Sequence, residues 1–290
     1  MKARPVELAA HLHPCQSSTE IVIERMYSMA TPALPAKNQA SYYPDAAEPQ
    51  RKARSPYGMP VVDNCMTCKL RCSNFFCSMS EASLQALDRI KHVSSYPEGA
   101  MLFMEGETAR GAYLVCQGRV KLLTTNREGK TMIVKIAKPG DLLGLYATIS
   151  GEKLEVTAET LQPTQLAFVT REDFLRYVRV HGDACLHVAQ HMGRDCHSAY
   201  EVIRSIALSN SVPEKLARLL MEWTVGSQEN NGMVRVKLSL THEEIAQLIG
   251  CSRESVSRSL GEFKKQRLLE LNGSTLLVRN KAALESLAAI

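Results

Sequence analysis

The chain has 290 residues, enough for two domains with separate cores, and its 45% hydrophobic content is ordinary for a globular protein. A formal net charge of +5 permits contact with nucleic acid without arguing for it. No run of about 18 apolar residues occurs, so no membrane-spanning helix is predicted. Pro5 and Glu7 interrupt any secretory signal at the N-terminus. We therefore expect a cytoplasmic protein without a membrane partner.

Residues 1–60 differ in composition from the rest of the chain. Seven of the twelve prolines, at positions 5, 14, 32, 35, 44, 49 and 56, precede residue 58, and no apolar period is sustained there. This composition predicts a disordered tail. A downstream start codon, for instance at Met26 or Met29, is an alternative.

Residues 61–80 contain a dense group of cysteines. Four of the nine cysteines lie within thirteen residues: Cys65, Cys68, Cys72 and Cys77. In a reducing compartment, such clustering indicates metal or redox chemistry rather than a disulfide scaffold. Four thiolates at short spacing suit either an iron–sulfur cluster or tetrahedral zinc. Reactive or merely structural thiols are the third interpretation.

Residues 81–170 consist largely of short β-branched and aliphatic runs. The runs are AMLFME, AYLVCQ, RVKLLTT, TMIVKIA, LEVTAETL and TQLAFVT, and glycines separate them at positions 106, 118, 129, 140 and 151. Strands with turns at this spacing are typical of an all-β sandwich or barrel.

Residues 171–208 follow as a predicted dimerisation helix. Apolar residues recur there mostly at spacings of three and four, namely Cys185, Val188, Met192, Ala199, Ile203 and Ile206. A long stripe of this kind suits a helix paired with its own copy. His187 and His191, at i and i+4, could bind metal or haem, but solvated histidines are the favoured interpretation.

Residues 209–290 contain a helix-turn-helix pattern. Thr241 and Glu244 form a capping box that predicts the start of one helix, and Gly250 ends it. Ser252 can cap a second helix with one inward apolar face, formed by Val256, Leu260 and Phe263.

The opposite face of this second helix is polar, and four of its side chains lie in the first two turns: Arg253, Glu254, Ser257 and Arg258. A guanidinium donates two bonds to guanine, a carboxylate accepts from cytosine and a hydroxyl serves either role. The pattern therefore predicts a recognition helix in the major groove of double-stranded DNA. The alternative is an ordinary amphipathic helix with a solvated face.

The segment GCSRESVSRSL, with VRVKLSL before it and LLELNGSTLLV after it, resembles the winged helix of the cyclic-AMP receptor and fumarate-nitrate-reduction regulator (Crp/Fnr) family. The resemblance covers roughly residues 80–290. It implies an α+β fold: an N-terminal double-stranded β-helix (jelly-roll, cyclic-nucleotide-binding-like) sensor domain over 81–170, the dimerisation helix over 171–208 and a C-terminal winged helix over 209–290.

The resemblance also implies partners. Arg253, Glu254 and Arg258 match positions that read the DNA half-site, and Ser257 resembles the serine of the oxygen-sensing branch. A homodimer on an inverted repeat is implied, with half-sites close to TTGAT or TGTGA and about one helical turn apart. RNA polymerase is a further implied partner.

The resemblance finally suggests what is sensed. The phosphate-binding arginine of cyclic-nucleotide-binding relatives corresponds to Val156 here, which argues against that ligand. Cys65, Cys68 and Cys77 resemble the N-terminal ligands of a [4Fe-4S] cluster in the oxygen-sensing branch. The relatives' fourth ligand, in the β-roll, corresponds to Ala167 or Phe168, so Cys72 is expected to complete the set, with Cys116 in reserve.

The sequence thus predicts a DNA-binding transcription regulator, not an enzyme, that responds to oxygen or nitric oxide through an iron–sulfur cluster. One alternative is a zinc-stabilised or small-ligand-gated regulator without a cluster. Another is an effector-binding or interaction module that does not bind DNA, although this leaves the helix-turn-helix unexplained.

Overall fold

The computed structural model describes residues 56–69, 76–208, 211–224, 229–230, 233–237, 240–272 and 275–288, which all belong to one compact unit spanning residues 53–290. Most of the predicted tail and Cys72 lie outside these ranges. In the part of the chain that is described, no helix is long and apolar enough to cross a membrane.

A β-roll occupies residues 92–170, after a first helix, α1 (Glu81–Ile90). Its strands are β1 (His92–Tyr96), β2 (Met101–Phe103), β3 (Gly111–Gln117), β4 (Val120–Thr125), β5 (Thr131–Ala137), β6 (Leu142–Leu143), β7 (Thr157–Thr160) and β8 (Thr164–Thr170), with helix α2 (Leu145–Ser150) between β6 and β7. One antiparallel sheet has the order β1-β8-β3-β6 and the other β2-β7-β4-β5. The strands and glycine turns expected from the sequence are confirmed, since all five spacer glycines have positive φ.

The predicted helix 171–208 is two helices, α3 (Arg171–Val180) and α4 (Gly182–Leu208). The chain is extended at His181, with φ −107° and ψ 95°, and the His181 N–H donates to the Tyr177 carbonyl to close α3. The long helix therefore begins at Gly182 rather than at residue 171.

Helix α4 has an inner and an outer face. Val188 and Met192, two members of the predicted dimer stripe, pack inward against the chain's own roll, whereas Cys185, Ala199 and Ile203 of the same stripe are exposed. The outer face carries exposed residues at alternating spacings of three and four: Leu186, Ala189, Gly193, Cys196, Tyr200 and Ile203. This spacing is that of a coiled-coil seam, which leaves the outer face suited to a second copy of the chain.

The C-terminal part is a winged helix-turn-helix. Its elements are α5 (Val212–Thr224), β9 (Glu229–Asn230), β10 (Met233–Lys237), α6 (His242–Ile249), α7 (Arg253–Lys265), β11 (Leu269–Asn272), β12 (Thr275–Val278) and α8 (Lys281–Ala288), and its sheet has the order β11-β12-β10-β9. Leu216, Leu220, Ile245 and Val256 are fully buried in its core. The predicted α+β class is confirmed.

Candidate functional site

The two helices of the helix-turn-helix are fixed by local capping. The Thr241 hydroxyl accepts from the Glu244 N–H at 3.2 Å, while Glu244 Oε2 accepts from the Thr241 N–H at 2.8 Å. Gly250 ends α6 in the left-handed region, at φ 68°, which a residue with a side chain rarely adopts. The Ser252 hydroxyl then accepts from the Ser255 N–H and starts α7. The end of α6 and the start of α7 are thus fixed by residues close to them in sequence.

Helix α7 presents its polar face to solvent. Val256, Leu260 and Phe263 are buried against the domain core, whereas the four predicted base-reading residues are all exposed and close together: Arg253, Glu254, Ser257 and Arg258. Backbone and Ser252 hydrogen bonds at the helix start lower the pKa of Glu254, so it is an acceptor at neutral pH.

One residue near this face was missed by the sequence analysis. His242, on α6, places Nδ1 2.9 Å from the Ser257 hydroxyl. The imidazole therefore orients the serine hydroxyl. The two residues are fifteen positions apart on different helices, so no local pattern indicates the contact.

The described cysteines of the N-terminal segment lie against the outer face of the roll. Cys68 donates its N–H to the Cys65 carbonyl at 3.4 Å within one turn, and Cys77 is buried in a short 3-10 helix, Phe76–Ser78. Cys65 and Cys77 share an apolar cluster with a residue of β3, Cys116. Cys72, the fourth predicted ligand, lies outside the described residues.

These thiols perturb one another. Burial and, to a smaller extent, the neighbouring thiols of Cys116, Cys65 and Cys68 together raise the pKa of Cys77 to about 12. Burial and the Cys65 thiol likewise raise the pKa of Cys116 to about 12. Among the described side chains, no three His, Cys, Asp or Glu residues are arranged to hold a single metal ion. The described thiols are soft donors by chemistry, but their positions do not form a metal site, and Cys72 lies outside the described residues.

A buried lysine contacts the cysteine site. The Lys91 side chain is 4% exposed, and its Nζ lies 3.1 Å from Cys65 Sγ and 2.6 Å from Asp88 Oδ1. Asp88 Oδ1 also accepts from the Cys65 N–H at 2.9 Å. Burial alone would lower the pKa of Lys91, but its bonds to Asp88 and Cys65 raise it. Cys65 is therefore held from α1 by one cation and one carboxylate.

The cysteine segment is also bonded to the start of the long helix. Asp183, in the first turn of α4, accepts from the Ser83 hydroxyl at 2.5 Å and from the Ser80 N–H at 3.0 Å. Burial alone would raise the pKa of Asp183, but the Ser83 and Ser80 hydrogen bonds hold it well below its usual range. Ser83 also contacts His181 Nδ1 at 3.2 Å. This joint links the chain after Cys77 to the hinge between α3 and α4.

A second group of hydrogen bonds and ion pairs, around His191, holds α4 against the roll. His191 Nε2 accepts from the Leu142 N–H at 3.1 Å, and its Nδ1 lies 3.2 Å from Asp195 Oδ2. Burial alone would lower the pKa of His191, but the carboxylates of Asp141 and Asp195 raise it. Lys135 Nζ pairs with Asp195 at 2.7 Å. The sequence favoured a solvated histidine, but His191 is 2% exposed and hydrogen-bonded to the roll.

The roll contains a cavity of about 270 Å³ beneath α4. Leu122, Leu142 and Val156 line it, with Glu155 and Asp195 as its charged groups. Among the described residues around it, no lysine or arginine is present. The two carboxylates would repel a cyclic phosphate, and no lysine or arginine of the described lining would neutralise it.

Two family models match the chain. Residues 93–181 match a cyclic nucleotide-binding domain and residues 214–287 match a Crp-like helix-turn-helix domain. The cAMP-activated global transcriptional regulator CRP of Pasteurella multocida is 25% identical over 188 residues, which cover 64% of this chain and 90% of that protein. A CRP-like cAMP-activated global transcriptional regulator of Mycobacterium tuberculosis is 24% identical, covering 73% and 95%.

Solved structures share the fold. FixK2 from Bradyrhizobium japonicum aligns with a TM-score of 0.62 and 23% identity, covering 69% of this chain and 98% of FixK2. A CooA mutant from Carboxydothermus hydrogenoformans also has a TM-score of 0.62, with 21% identity, covering 71% and 90%.

A β-roll followed by a long helix and an exposed, capped recognition helix defines a DNA-binding transcription regulator. The chain belongs to the Crp/Fnr family. Regulators of this type bind DNA, typically as homodimers, and are not enzymes. The expectation drawn from the recognition helix is confirmed at this level.

Proposed function

We propose that this chain is a homodimeric regulator that reads an inverted repeat through α7 and is controlled by a thiolate-bound [4Fe-4S] cluster. The main supporting observation is the exposed face of α7, where two guanidinium groups, a carboxylate and a hydroxyl lie on a doubly capped helix. The outer seam of α4 supports the dimer. RNA polymerase is the proposed protein partner at the promoter.

The DNA-reading role is tested at Arg258. An Arg258→Ala variant should lose discrimination at one base pair of each half-site, by about 1–3 kcal/mol. Lys264→Ala, at the exposed C-terminal end of the same helix, is the matched control and should weaken all sites equally with a smaller salt dependence. Binding is measured on palindromes built from TTGAT and TGTGA half-sites with single substitutions. Uniform weakening by Arg258→Ala would refute base reading.

The proposed sensor is the group of cysteines that precedes the roll. Four thiolates suit the cluster, and the predicted ligands are Cys65, Cys68, Cys72 and Cys77. When bound, the cluster would supply reactivity towards oxygen or nitric oxide. Lys91 and Asp88 bond to Cys65 and hold it in place, and Asp183 connects the segment to α4.

The sensor is tested by purification without oxygen. Iron, sulfide and zinc are measured per chain, and DNA binding is followed before and after exposure to air. About four irons and four sulfides with air-sensitive binding would support the proposal. Zinc alone, or no metal with unchanged binding, would contradict it.

A second candidate is a regulator gated by a small ligand in the β-roll. The cavity of about 270 Å³ under α4 favours it, because an occupant would touch both the roll and the long helix. The cAMP named for the relatives is a poor candidate for this cavity, because Val156 and Glu155 stand where a cation would contact the phosphate. Zinc in place of the cluster is the third arrangement.

A further inference from the structure

The hydroxyl of Ser257 bonds to a neighbouring helix rather than to its own. A serine inside a helix can donate to the carbonyl four residues back, as Ser286 does to Ala282 at 3.0 Å. Ser257 Oγ instead lies 2.9 Å from Nδ1 of His242, on α6. The imidazole is therefore the group that sets the direction of this hydroxyl on the recognition helix.

Both partners are held in place by the folded domain. His242 is half-buried and is the first residue of α6, directly after the capping box of Thr241 and Glu244. Ser257 follows Val256, which is fully buried and fixes that turn of α7. The serine itself is exposed on the polar face of the helix. The contact is thus made before DNA arrives, and a base meets a hydroxyl that is already oriented.

The hydrogen of the hydroxyl decides what Ser257 can read. A serine hydroxyl has one hydrogen to donate and two lone pairs that accept, and an imidazole nitrogen without a hydrogen only accepts. If Ser257 donates to Nδ1, it faces the DNA with lone pairs alone. In the major groove, adenine N6 and cytosine N4 are donors, whereas guanine O6 and thymine O4 are acceptors. A serine with a committed hydrogen therefore favours an amino group and is repelled by a carbonyl oxygen.

We infer that His242 is a specificity-determining positioning residue, which accepts the Ser257 hydrogen at Nδ1 and so restricts Ser257 to an adenine or cytosine amino group. The imidazole then carries its own hydrogen on Nε2. This inference rests on the proposed function, base reading by α7, and adds to it the polarity of one contact. Without His242, the same serine serves as donor or acceptor and distinguishes amino from carbonyl bases poorly.

The test is selection by the full-length protein, purified without oxygen, from inverted repeats with randomised half-sites. The wild type is compared with Ser257→Ala, His242→Ala, the double variant and His242→Asn, whose side-chain oxygen can accept in place of Nδ1. Gln247→Ala, another half-buried polar side chain of α6, is the matched control. Circular dichroism and urea unfolding verify that each variant is folded.

We expect Ser257→Ala to identify one position where the wild type prefers the amino base over its carbonyl counterpart, adenine over guanine or cytosine over thymine, by about 3- to 10-fold. His242→Ala should reduce this preference to within about twofold although the serine is still present. The double variant should match Ser257→Ala, because the two residues act as a unit. His242→Asn should restore the preference, and Gln247→Ala should not alter it.

Four results would overturn the inference: a wild-type preference for guanine or thymine at this position, a preference that survives His242→Ala, a His242→Ala variant that weakens all sequences equally, or no position that responds to Ser257→Ala. Base reading by α7 still stands in each case if Arg258→Ala loses discrimination at its own base pair. If neither Ser257→Ala nor Arg258→Ala changes any base preference, the proposed function fails and the inference fails with it.

Discussion

At the residue scale, Lys91 is the most unusual side chain near the cysteines. A lysine that is 4% exposed must be compensated, and here Asp88 and Cys65 both lie within 3.1 Å of its Nζ. Its ammonium donates to a proposed ligand sulfur, which is the contact that tunes metal affinity and reduction potential in thiolate sites.

We therefore predict that Lys91→Met weakens metal binding by about 10- to 100-fold without changing the number of thiolate ligands. The control is Arg89→Met, which removes the same charge from an exposed position of α1. Metal affinity is measured by competition with a chelator. Equal effects of the two substitutions would mean that only net charge matters and that the contact with Cys65 does not.

How far each residue could be predicted depends on whether its partners are local. Thr241, Glu244 and Ser252 bond within three residues of themselves, so their sequence pattern already determined the caps and the exposed face of α7. Cys116 lies in one apolar cluster with Cys65 and Cys77, about 40 to 50 positions away in sequence, at a bulge that no composition pattern encodes.

At the element scale, α4 is bonded to the rest of the protein through Asp183 in its first turn and, further along, through His191 and Asp195. The predicted dimer stripe combined residues of both faces, since Val188 is buried and Ile203 is exposed, because periodicity cannot tell a face that packs on the chain's own roll from one left for a partner. The buried Ala184, Val188 and His191 settle the inner face.

The Asp183 joint leads to a prediction about coupling. Asp183→Asn should lower the free energy of unfolding by about 1–2 kcal/mol at pH 7, after allowance for solvent screening, and should leave metal content unchanged. Its DNA binding should no longer follow the metal state. Folding lowers the pKa of Asp183. The stability that its carboxylate contributes is therefore fully present above the pKa of the unfolded chain, about 3.9, and is lost as the pH falls from there through the folded pKa.

Urea unfolding at pH 7 and at about pH 3, together with DNA titrations, checks this. Glu172→Gln, an exposed acid on α3, is the control and should have almost no effect. A variant that keeps metal-dependent DNA binding would show that the signal reaches α4 by another route.

His191 leads to a prediction of the opposite sign. Folding raises the pKa of His191. The stability that the protonated imidazole contributes is therefore fully present below the pKa of the unfolded chain, about 6.5, and is lost as the pH rises through the folded pKa. The gap in unfolding free energy between wild type and His191→Gln should therefore narrow from about pH 6 to about pH 8.5. Urea midpoints measure it, and the exposed His197→Gln should show no such trend. A gap that widens with pH would refute the assignment.

At the scale of the whole molecule, the sensor roll and the winged helix are in direct contact. Helix α6 packs against β5, and Lys121 Nζ on β4 lies 2.9 Å from Glu159 Oε1 and 3.4 Å from Glu244 Oε1. Glu244 is also the capping-box residue of α6. The start of the helix that positions α7 is therefore bonded directly to the roll.

The quaternary prediction concerns the outer seam of α4. Ile203 is 59% exposed in the single chain, and its heptad partner Tyr200 is 61% exposed. Ile203→Glu would place two carboxylates against each other across a parallel seam, where like charges and lost apolar contact both oppose pairing. We expect a monomer in sedimentation experiments and a loss of binding to inverted repeats that exceeds the loss on a single half-site.

Gln190→Glu adds the same charge at an exposed position beside the seam and should remain dimeric. A dimeric Ile203→Glu variant would exclude this face as the interface. If the variant is monomeric but still binds the inverted repeat as tightly as the wild type, the two recognition helices do not need α4 to be held one helical turn apart. If Ile203→Glu is monomeric and binds inverted repeats more weakly, α4 has three roles. Its first turn bonds to the cysteine segment, its inner face packs on the roll, and its outer face sets the spacing of the two DNA-reading helices.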